Sequence, residues 1–297
     1  MKLNAKLFVG ILSSSLLFVG CSEDTPGPNP NGTVVKDSTT IDRTEKIENI
    51  FFNIPSPIET ISILKNAGAT YEWNLPLDPM QVDEFTSSLE KAIAMGIYGA
   101  DLNYASVFGI DNDMYMFLSC AEKLGKEIGV GQVFTEEVTH RIEDNVENKD
   151  SMQVIISETF WSMDSQLHEE GRESVSALVI AGGWIEGVYL ATQLAVLNPD
   201  NEEIKSRIAE QKYSVENLVK LLETYDDSSE EFLEITMMFK DLEELFQQIE
   251  EEKTTPAESV DEDGMPIIGQ QITLTMSNEL LKEITQLVSE IRVDFTN

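Results

Sequence analysis

The sequence predicts an all-α protein, a single helical bundle of antiparallel helical hairpins that follows a signal peptide and a flexible tether. Apolar residues recur every three or four positions through most of the chain, which is the spacing of one face of a helix. No run of alternating apolar and polar residues is long enough to predict a sheet. The 297 residues, 41% hydrophobic and 25% charged, suffice for one large folded core.

The charge of the chain is strongly negative. Asp and Glu number 54 against 20 Lys and Arg, which gives a formal net charge of -34. A surface of this sign repels the phosphate backbone of nucleic acids. We therefore expect no nucleic-acid partner.

The N-terminus carries the features of an export signal. Two lysines precede a nearly apolar run over residues 7–20, which is too short for a membrane span. The run ends at Gly20, directly before Cys21, and this junction resembles the lipobox of bacterial lipoproteins, although Phe18 departs from the usual Leu or Val. The resemblance implies a lipoprotein signal peptide over residues 1–20 and a Cys21 that is acylated, with palmitate, and anchored in a membrane. The alternative is an ordinary secreted protein with a free thiol.

Residues 21–45 are predicted to form the lipidated N-terminus and a disordered tether. Residues 22–24, Ser-Glu-Asp, resemble the acidic signal with which Bacteroidota send lipoproteins to the cell surface. Three prolines and two glycines follow before residue 33 and oppose packing, so the acidic stretch can equally begin a solvated tether. We expect a surface-exposed lipoprotein of the outer membrane whose all-α domain spans residues 46–297.

Helical periodicity is clear in the middle of the chain. The pattern assigns Asp111 as the N-cap of an amphipathic helix that Gly129 ends. Thr135 opens a second helix, and Asp150 with Ser151 opens a third. The apolar positions of the first recur at helical spacing and are Met114, Phe117, Leu118, Ala121, Leu124 and Ile128.

Three more helices complete the predicted bundle. One covers residues 204–225, and the next covers residues 229–250 with Ser228 and Glu231 as a capping box. Only two aspartates separate them, which predicts an antiparallel hairpin. Apolar positions over residues 280–291 predict a C-terminal helix that packs back on the bundle.

Two segments, residues 89–109 and 174–197, are rich in Gly and Ala. Each glycine weakens a helix by about 1 kcal/mol relative to alanine, so close approach of two backbones is the simplest explanation. The pattern favours a tightly packed central helix pair, with Gly183 and Gly187 on a shared face. The second segment is apolar enough for a membrane span, but Glu186 near its middle disfavours that interpretation.

A ligand or interaction groove is the alternative explanation for these two segments. Its candidate lining residues are Tyr98, Asp101, Tyr104, Trp184, Glu186 and Tyr189. Asp101 and Glu186 are acids on largely apolar helices, and such acids need a partner or a raised pKa when they are buried. Taken singly, each is expected instead at a rim, facing water.

The same two segments resemble a family of proteins. Residues 98–106, Tyr-Gly-Ala-Asp-Leu-Asn-Tyr-Ala-Ser, and residues 181–187, Ala-Gly-Gly-Trp-Ile-Glu-Gly, are similar to a family of uncharacterised Bacteroidota lipoproteins. The resemblance covers most of the mature domain and implies a helical fold and a place in the cell envelope. It implies no activity.

Few residues in the sequence could carry chemistry. Glu137 and His140 form a Glu-x-x-His pair, which is a weak metal candidate because di-iron bundles need two such pairs. Cys120 lies on an apolar helix face and is predicted to be a buried, inert thiol. The acidic residues near positions 111–113 and 261–264 lack EF-hand spacing. We expect no catalytic residue, no dedicated metal site and no cofactor.

The sequence therefore predicts a lipid-anchored envelope protein that acts through binding or assembly and not as an enzyme. Its expected partners are the membrane, through the N-terminal lipid, and another protein of the envelope. The alternative function is a helical bundle that binds a small ligand or a metal and could act as an enzyme.

Overall fold

The helical domain is seen in a computed structural model that describes residues 62, 65–66, 68–145, 148–225, 229–254 and 271–297. Within these residues it has eight α-helices and one small sheet, so the predicted all-α fold is confirmed. The predicted signal peptide, Cys21 and the tether lie outside the described residues. The helices are α1 Ser88–Phe108, α2 Asp111–Glu127, α3 Glu136–Asp144, α4 Lys149–Glu169, α5 Glu173–Leu197, α6 Glu202–Glu223, α7 Glu230–Gln247 and α8 Asn278–Thr296.

Helices α1 and α5 cross at the centre of the fold with their backbones in contact. A Cβ atom at Gly96 would lie 2.0 Å from the carbonyl oxygen of Val179, and one at Gly182 would lie 2.1 Å from that of Ile93. A Cβ atom at Gly183 would lie 3.3 Å from the carbonyl oxygen of Gly96. No side chain larger than hydrogen fits at the two closest positions. The close-packed helix pair that the small residues predict is therefore present.

Helix α5 is the one helix of the described residues that is long and apolar enough to cross a membrane. In this structure 83% of its most apolar window is buried inside the fold. It packs against α1, α4, α6 and α8, and a helix surrounded in this way needs apolar residues on every side. Burial in the bundle accounts for its composition.

Helices α6, α7 and α8 pack outside the central pair. Helices α6 and α7 contact each other, and α8 contacts α5 and α7. Trp184 of α5 meets Phe239 and Phe246 of α7, with ring centroids 6.0 and 6.1 Å apart. The C-terminal helix therefore returns to the bundle as predicted.

Three predicted helix starts are corrected by the structure. Helix α4 begins at Lys149, after the N-cap Asn148, and not at Asp150 and Ser151. Asp111 is the first residue of α2 and not its N-cap, because Ile110 takes the cap position and offers no side-chain hydrogen bond. The N-cap of α7 is Ser229, whose hydroxyl accepts a hydrogen bond from the backbone N–H of Phe232. Runs of neighbouring acids and serines offer several cap candidates within one turn, so spacing alone does not choose among them.

A two-stranded sheet, which the sequence does not predict, lies between α7 and α8. Strand β1, Glu250–Thr254, pairs antiparallel with β2, Gln271–Thr275, and Glu250 lies opposite Thr275. Strand β1 contains no apolar residue, whereas β2 alternates Ile272 and Leu274 with polar residues. The sheet is not predicted from the sequence because this alternation covers only five residues and the partner strand pairs through its backbone, with no apolar pattern of its own. The intervening residues 255–270, which include the acidic residues 261–263, lie outside the described residues.

Candidate functional site

The six residues proposed to line a groove lie on the two central helices. Helix α1 carries three of them and α5 carries the other three. Five are buried, and Tyr189 is half-buried. The structure divides them into an acid pair with Tyr189 beside Arg292, a tyrosine pair beside an extended segment, and Trp184 alone against α7.

Glu186 forms a buried, two-point ion pair with Arg292 of α8. The guanidinium Nε lies 2.6 Å from Oε2 of Glu186, and Nη2 lies 3.0 Å from Oε1. Nη2 also donates to the carbonyl oxygen of Leu75 at 3.1 Å, and the guanidinium stacks 4.2 Å from the ring centre of Tyr189. One arginine thus joins α5, α8 and the segment before α1. Parallel hydrogen bonds of this kind are the strongest form of a carboxylate–arginine pair.

Asp101 of α1 is fully buried beside this ion pair. Its Oδ2 accepts a hydrogen bond from the backbone N–H of Leu77 at 3.0 Å, whereas Oδ1 accepts none. Burial raises the pKa of Asp101 well above its ordinary value, and the charge of Glu186 raises it further, while Arg292 opposes the shift. The neutral acid satisfies the site best, because its O–H can donate to the Glu186 carboxylate.

The position of the two acids differs from the expectation that each faces water. Asp101 and Glu186 are both 0% exposed. The two carboxyl groups share the single guanidinium of Arg292, so the buried group carries one negative charge in excess if both are ionised. Sequence analysis missed Arg292 because it lies far along the chain, 106 residues from Glu186, on a helix with an ordinary amphipathic pattern. A lone cation between apolar residues of that helix was the only available signal.

A segment of extended chain and turns lies over α1, and we refer to residues 69–84 as the strap. The hydroxyl of Tyr98 donates to the carbonyl oxygen of Asp78 at 2.9 Å, and the hydroxyl of Tyr104 accepts from the N–H of Glu72 at 2.9 Å. Together with Asp101, these side chains stand three residues apart on α1 and bind backbone groups of the strap. The strap ends in a short 3-10 helix, Pro79–Asp83.

Apolar contacts add to the hydrogen bonds of the strap. The strap residues Leu75 and Leu77 are buried. The ring of Tyr71, also in the strap, stacks on Tyr104 of α1 with centroids 4.8 Å apart. The hydroxyl of Tyr71 donates to Asp113 of α2 at 2.7 Å. Burial raises the pKa of Tyr104 to about 12, so its hydroxyl stays protonated at any physiological pH. The strap is therefore held on this side of α1 by both hydrogen bonds and apolar contacts.

Cys120 of α2 also lies beside the strap. Its thiol is buried, as predicted, and Sγ lies 3.8 Å from the carbonyl oxygen of Pro79. Burial raises the pKa of this thiol to about 11, which leaves very little thiolate at neutral pH. Cys120 therefore has the properties of an inert thiol while the strap is in place.

The predicted groove side chains thus hold a piece of the same chain. The strap occupies the space above Tyr98, Asp101 and Tyr104, and the carbonyl oxygen of Leu75 accepts a hydrogen bond from Nη2 of Arg292. A shallow depression elsewhere, on α8, is lined by none of the six residues. Its lining residues are Gln286, Ser289, Glu290, Val293 and Asp294.

The weak metal candidates lie on α3, away from the acid pair. Glu137 and His140 are both exposed, and Nδ1 of His140 lies 3.3 Å from Oε2 of Glu143. Across the described part of the chain, no three His, Cys, Asp or Glu side chains gather closely enough to hold a metal ion. The remaining acids near Gly264 fall outside that part.

Comparisons with known proteins identify no relative. No family model matches the chain, and neither the curated proteins nor the solved structures give a significant match. The resemblance of residues 98–106 and 181–187 to Bacteroidota lipoproteins stays a prediction.

Proposed function

We propose that this protein is a lipid-anchored lipoprotein of the outer membrane, displayed at the cell surface, with a non-catalytic role in binding or assembly. The observation that carries the proposal is the junction at Gly20 and Cys21, where an apolar run preceded by lysines ends directly before a cysteine. Two or three acyl chains on one cysteine anchor a protein stably, whereas one chain does not. The residues up to position 45 supply a tether for the helical domain.

The contacts of the central helices favour a binding role over small-molecule chemistry. Tyr98, Asp101 and Tyr104 direct their polar atoms to the strap, and Glu186 directs both carboxylate oxygens to Arg292. Side chains engaged in this way stabilise the fold and leave the outer surface to meet a partner. That surface is strongly acidic, which favours a partner face that carries Lys and Arg.

The lipid anchor can be tested with the two cysteines of the chain as a matched pair. Cells grown with an alkyne-labelled palmitate should label the wild-type protein and the Cys120→Ser variant equally. Cys21→Ser should abolish the label and release the protein from the membrane fraction. Labelling that survives Cys21→Ser would overturn the proposed anchor.

Surface display is tested by the acidic stretch behind Cys21. Replacing residues 22–24 with alanine should leave the acyl label intact and protect the domain from a protease added to whole cells. Wild-type protein should be digested under the same conditions. Equal digestion of both forms would show that the stretch is only a solvated tether.

The binding role is tested by native mass spectrometry of the protein from gently solubilised outer membranes. A second protein of defined mass is the expected result. A bound small molecule, or a metal that is lost in His140→Ala, would overturn this role in favour of a ligand-binding or metal-binding bundle.

A further inference from the structure

The strap is held on α1 by polar side chains, one of which is the buried acid Asp101. Three side chains of α1 hold backbone atoms of the strap, and Asp101, one of the three, has no hydrogen bond to any cation among the described residues. Both oxygens of Glu186 bind the Arg292 guanidinium, whereas Asp101 has one oxygen on the N–H of Leu77 and a second, fully buried oxygen with no donor. A carboxylate in this place leaves a lone pair unsatisfied, and a carboxylic acid does not.

We propose that the strap is a latch controlled by one proton: it stays on α1 while Asp101 is protonated, and it is released when Asp101 ionises. The release exposes Asp101 to water, where the carboxylate is stable. The inference concerns the fold and does not depend on the lipid anchor.

The groups around Asp101 account for its preference for a proton. Helix α5 contributes the charge of Glu186 and the ring of Tyr189, and α8 contributes Arg292. The tyrosines of α1 and of the strap, and Cys120 of α2, all feel the charge of Asp101 but carry none while they are protonated. Helix α4 also touches α1, but its buried Asp164 accepts a hydrogen bond from Ser176 of α5. One cation therefore serves two acids.

The sign of the pH dependence follows from where the proton is held more tightly. Burial and Glu186 raise the pKa of Asp101 in the closed form, and in the open form the side chain returns to its ordinary pKa near 4. The closed strap is then fully favoured below the ordinary pKa. Above that value the ratio of closed to open strap falls about tenfold per pH unit, until the pH passes the raised pKa of Asp101 in the closed form.

Hydrogen exchange of the full chain, measured from about pH 5 to about pH 9 and corrected for the chemical rate, tests the latch. Protection of the wild-type strap amides should fall about tenfold per pH unit until the pH passes the raised pKa of Asp101. These amides should exchange faster than those of α7 at every pH. Helix content measured by circular dichroism should stay constant. Strap and α7 amides that exchange at one common rate would mean global unfolding and would overturn the proposal.

Substitutions separate the proton of Asp101 from general loosening. Asp101→Asn mimics the neutral acid, since its amide can accept from Leu77 and donate to Glu186, and its strap should be protected equally at every pH. Asp164→Asn, at another buried acid, is the control and should keep the wild-type pH dependence. A wild-type profile in Asp101→Asn would overturn the latch.

A second variant keeps the test open if Asp101→Asn does not fold. Glu186→Gln removes the neighbouring negative charge and frees Arg292 to pair with Asp101, which lowers the pKa of Asp101. The loss of strap protection should therefore end at a lower pH than in the wild type, and the strap should stay better protected at alkaline pH. Protection lost over the same pH range as in the wild type would contradict the proposal.

Cys120 provides an independent readout of the strap. In a Cys21→Ser background it is the only thiol, and the strap covers it through Pro79. Ionised Asp101 raises the pKa of this thiol and would by itself slow its modification. Faster modification in the wild type than in Asp101→Asn at alkaline pH can therefore come only from release of the strap, and slower modification would overturn the proposal.

Discussion

Helix α1 is packed by opposite means on its two sides. Toward α5, glycines let the two backbones touch, and no polar side chain takes part in the closest contacts. Toward the strap, Tyr98, Asp101 and Tyr104 reach out to backbone N–H and C=O groups. Packing toward α5 requires glycine, which has no Cβ atom, at the closest positions. Packing toward the strap requires hydrogen bonds from and to the side chains of α1. One helix therefore combines a contact insensitive to pH with one that responds to it.

The largest expected effect is on the glycine side. Gly96→Ala places a Cβ atom 2.0 Å from the carbonyl oxygen of Val179. A backbone oxygen cannot relieve this clash by a change of rotamer, as a side chain could. We expect a loss of about 4 kcal/mol or more in the free energy of unfolding, or a failure to fold. Urea unfolding followed by circular dichroism measures the effect.

Gly99→Ala is the matched control on the same helix. A Cβ atom at Gly99 would meet nothing within 4 Å. This variant should gain about 0.5–1 kcal/mol, because alanine favours the helix. Equal losses in the two variants would show that helix propensity, and not the crossing, governs α1.

The next largest effect is expected at the cation of the acid pair. Arg292→Ala leaves Glu186 and Asp101 buried without a counter-charge and should cost about 3–5 kcal/mol at neutral pH. The loss should shrink as pH falls, since protonated acids need no cation. Thermal unfolding at several pH values checks both statements.

Arg207→Ala removes an arginine from a partly exposed pair with Glu210 on α6 and serves as the comparison. Solvent screens this pair, so the cost should be below about 1 kcal/mol. If the two arginine variants lose the same stability, the acid pair does not depend on its cation.

The smallest expected effect is at a single hydrogen bond to the strap. Tyr104→Phe keeps the stacking on Tyr71 but leaves the N–H of Glu72 without its acceptor. The cost should be about 1 kcal/mol and should be confined to faster amide exchange in the strap. Tyr115→Phe on the exposed side of α2 should change nothing. Faster exchange throughout the molecule would show that the strap is not a separate unit.

The two sides of α1 also differ in what the sequence can predict. Close backbone contact has a signature in composition, so the run of Gly and Ala in α1 and α5 is enough to predict the crossing. A hydrogen bond from a side chain to a backbone leaves no signature in the partner, because every residue other than proline offers the same N–H and C=O. The sequence therefore singles out Tyr98, Asp101 and Tyr104 without indicating that the strap is what they bind.

The acid pair lies between these extremes. Asp101 and Glu186 stand out as acids on apolar helices, and the need for a partner can be inferred from that alone. The identity of the partner, Arg292, depends on how α8 returns to the bundle, which periodicity does not specify. The β1–β2 sheet is missed for another reason: the alternation of apolar and polar residues in β2 covers only five positions, and β1, which pairs with it, has no apolar residue.

Arg292 has a consequence for the order in which the molecule is completed. It binds Glu186 across 106 residues and the carbonyl oxygen of Leu75 across 217 residues of sequence. A chain emerges N-terminus first from the ribosome, so both acids are made before the arginine that neutralises them. Contacts of such long range slow folding. The acid pair is therefore completed only after α8 has been made and has packed on α5.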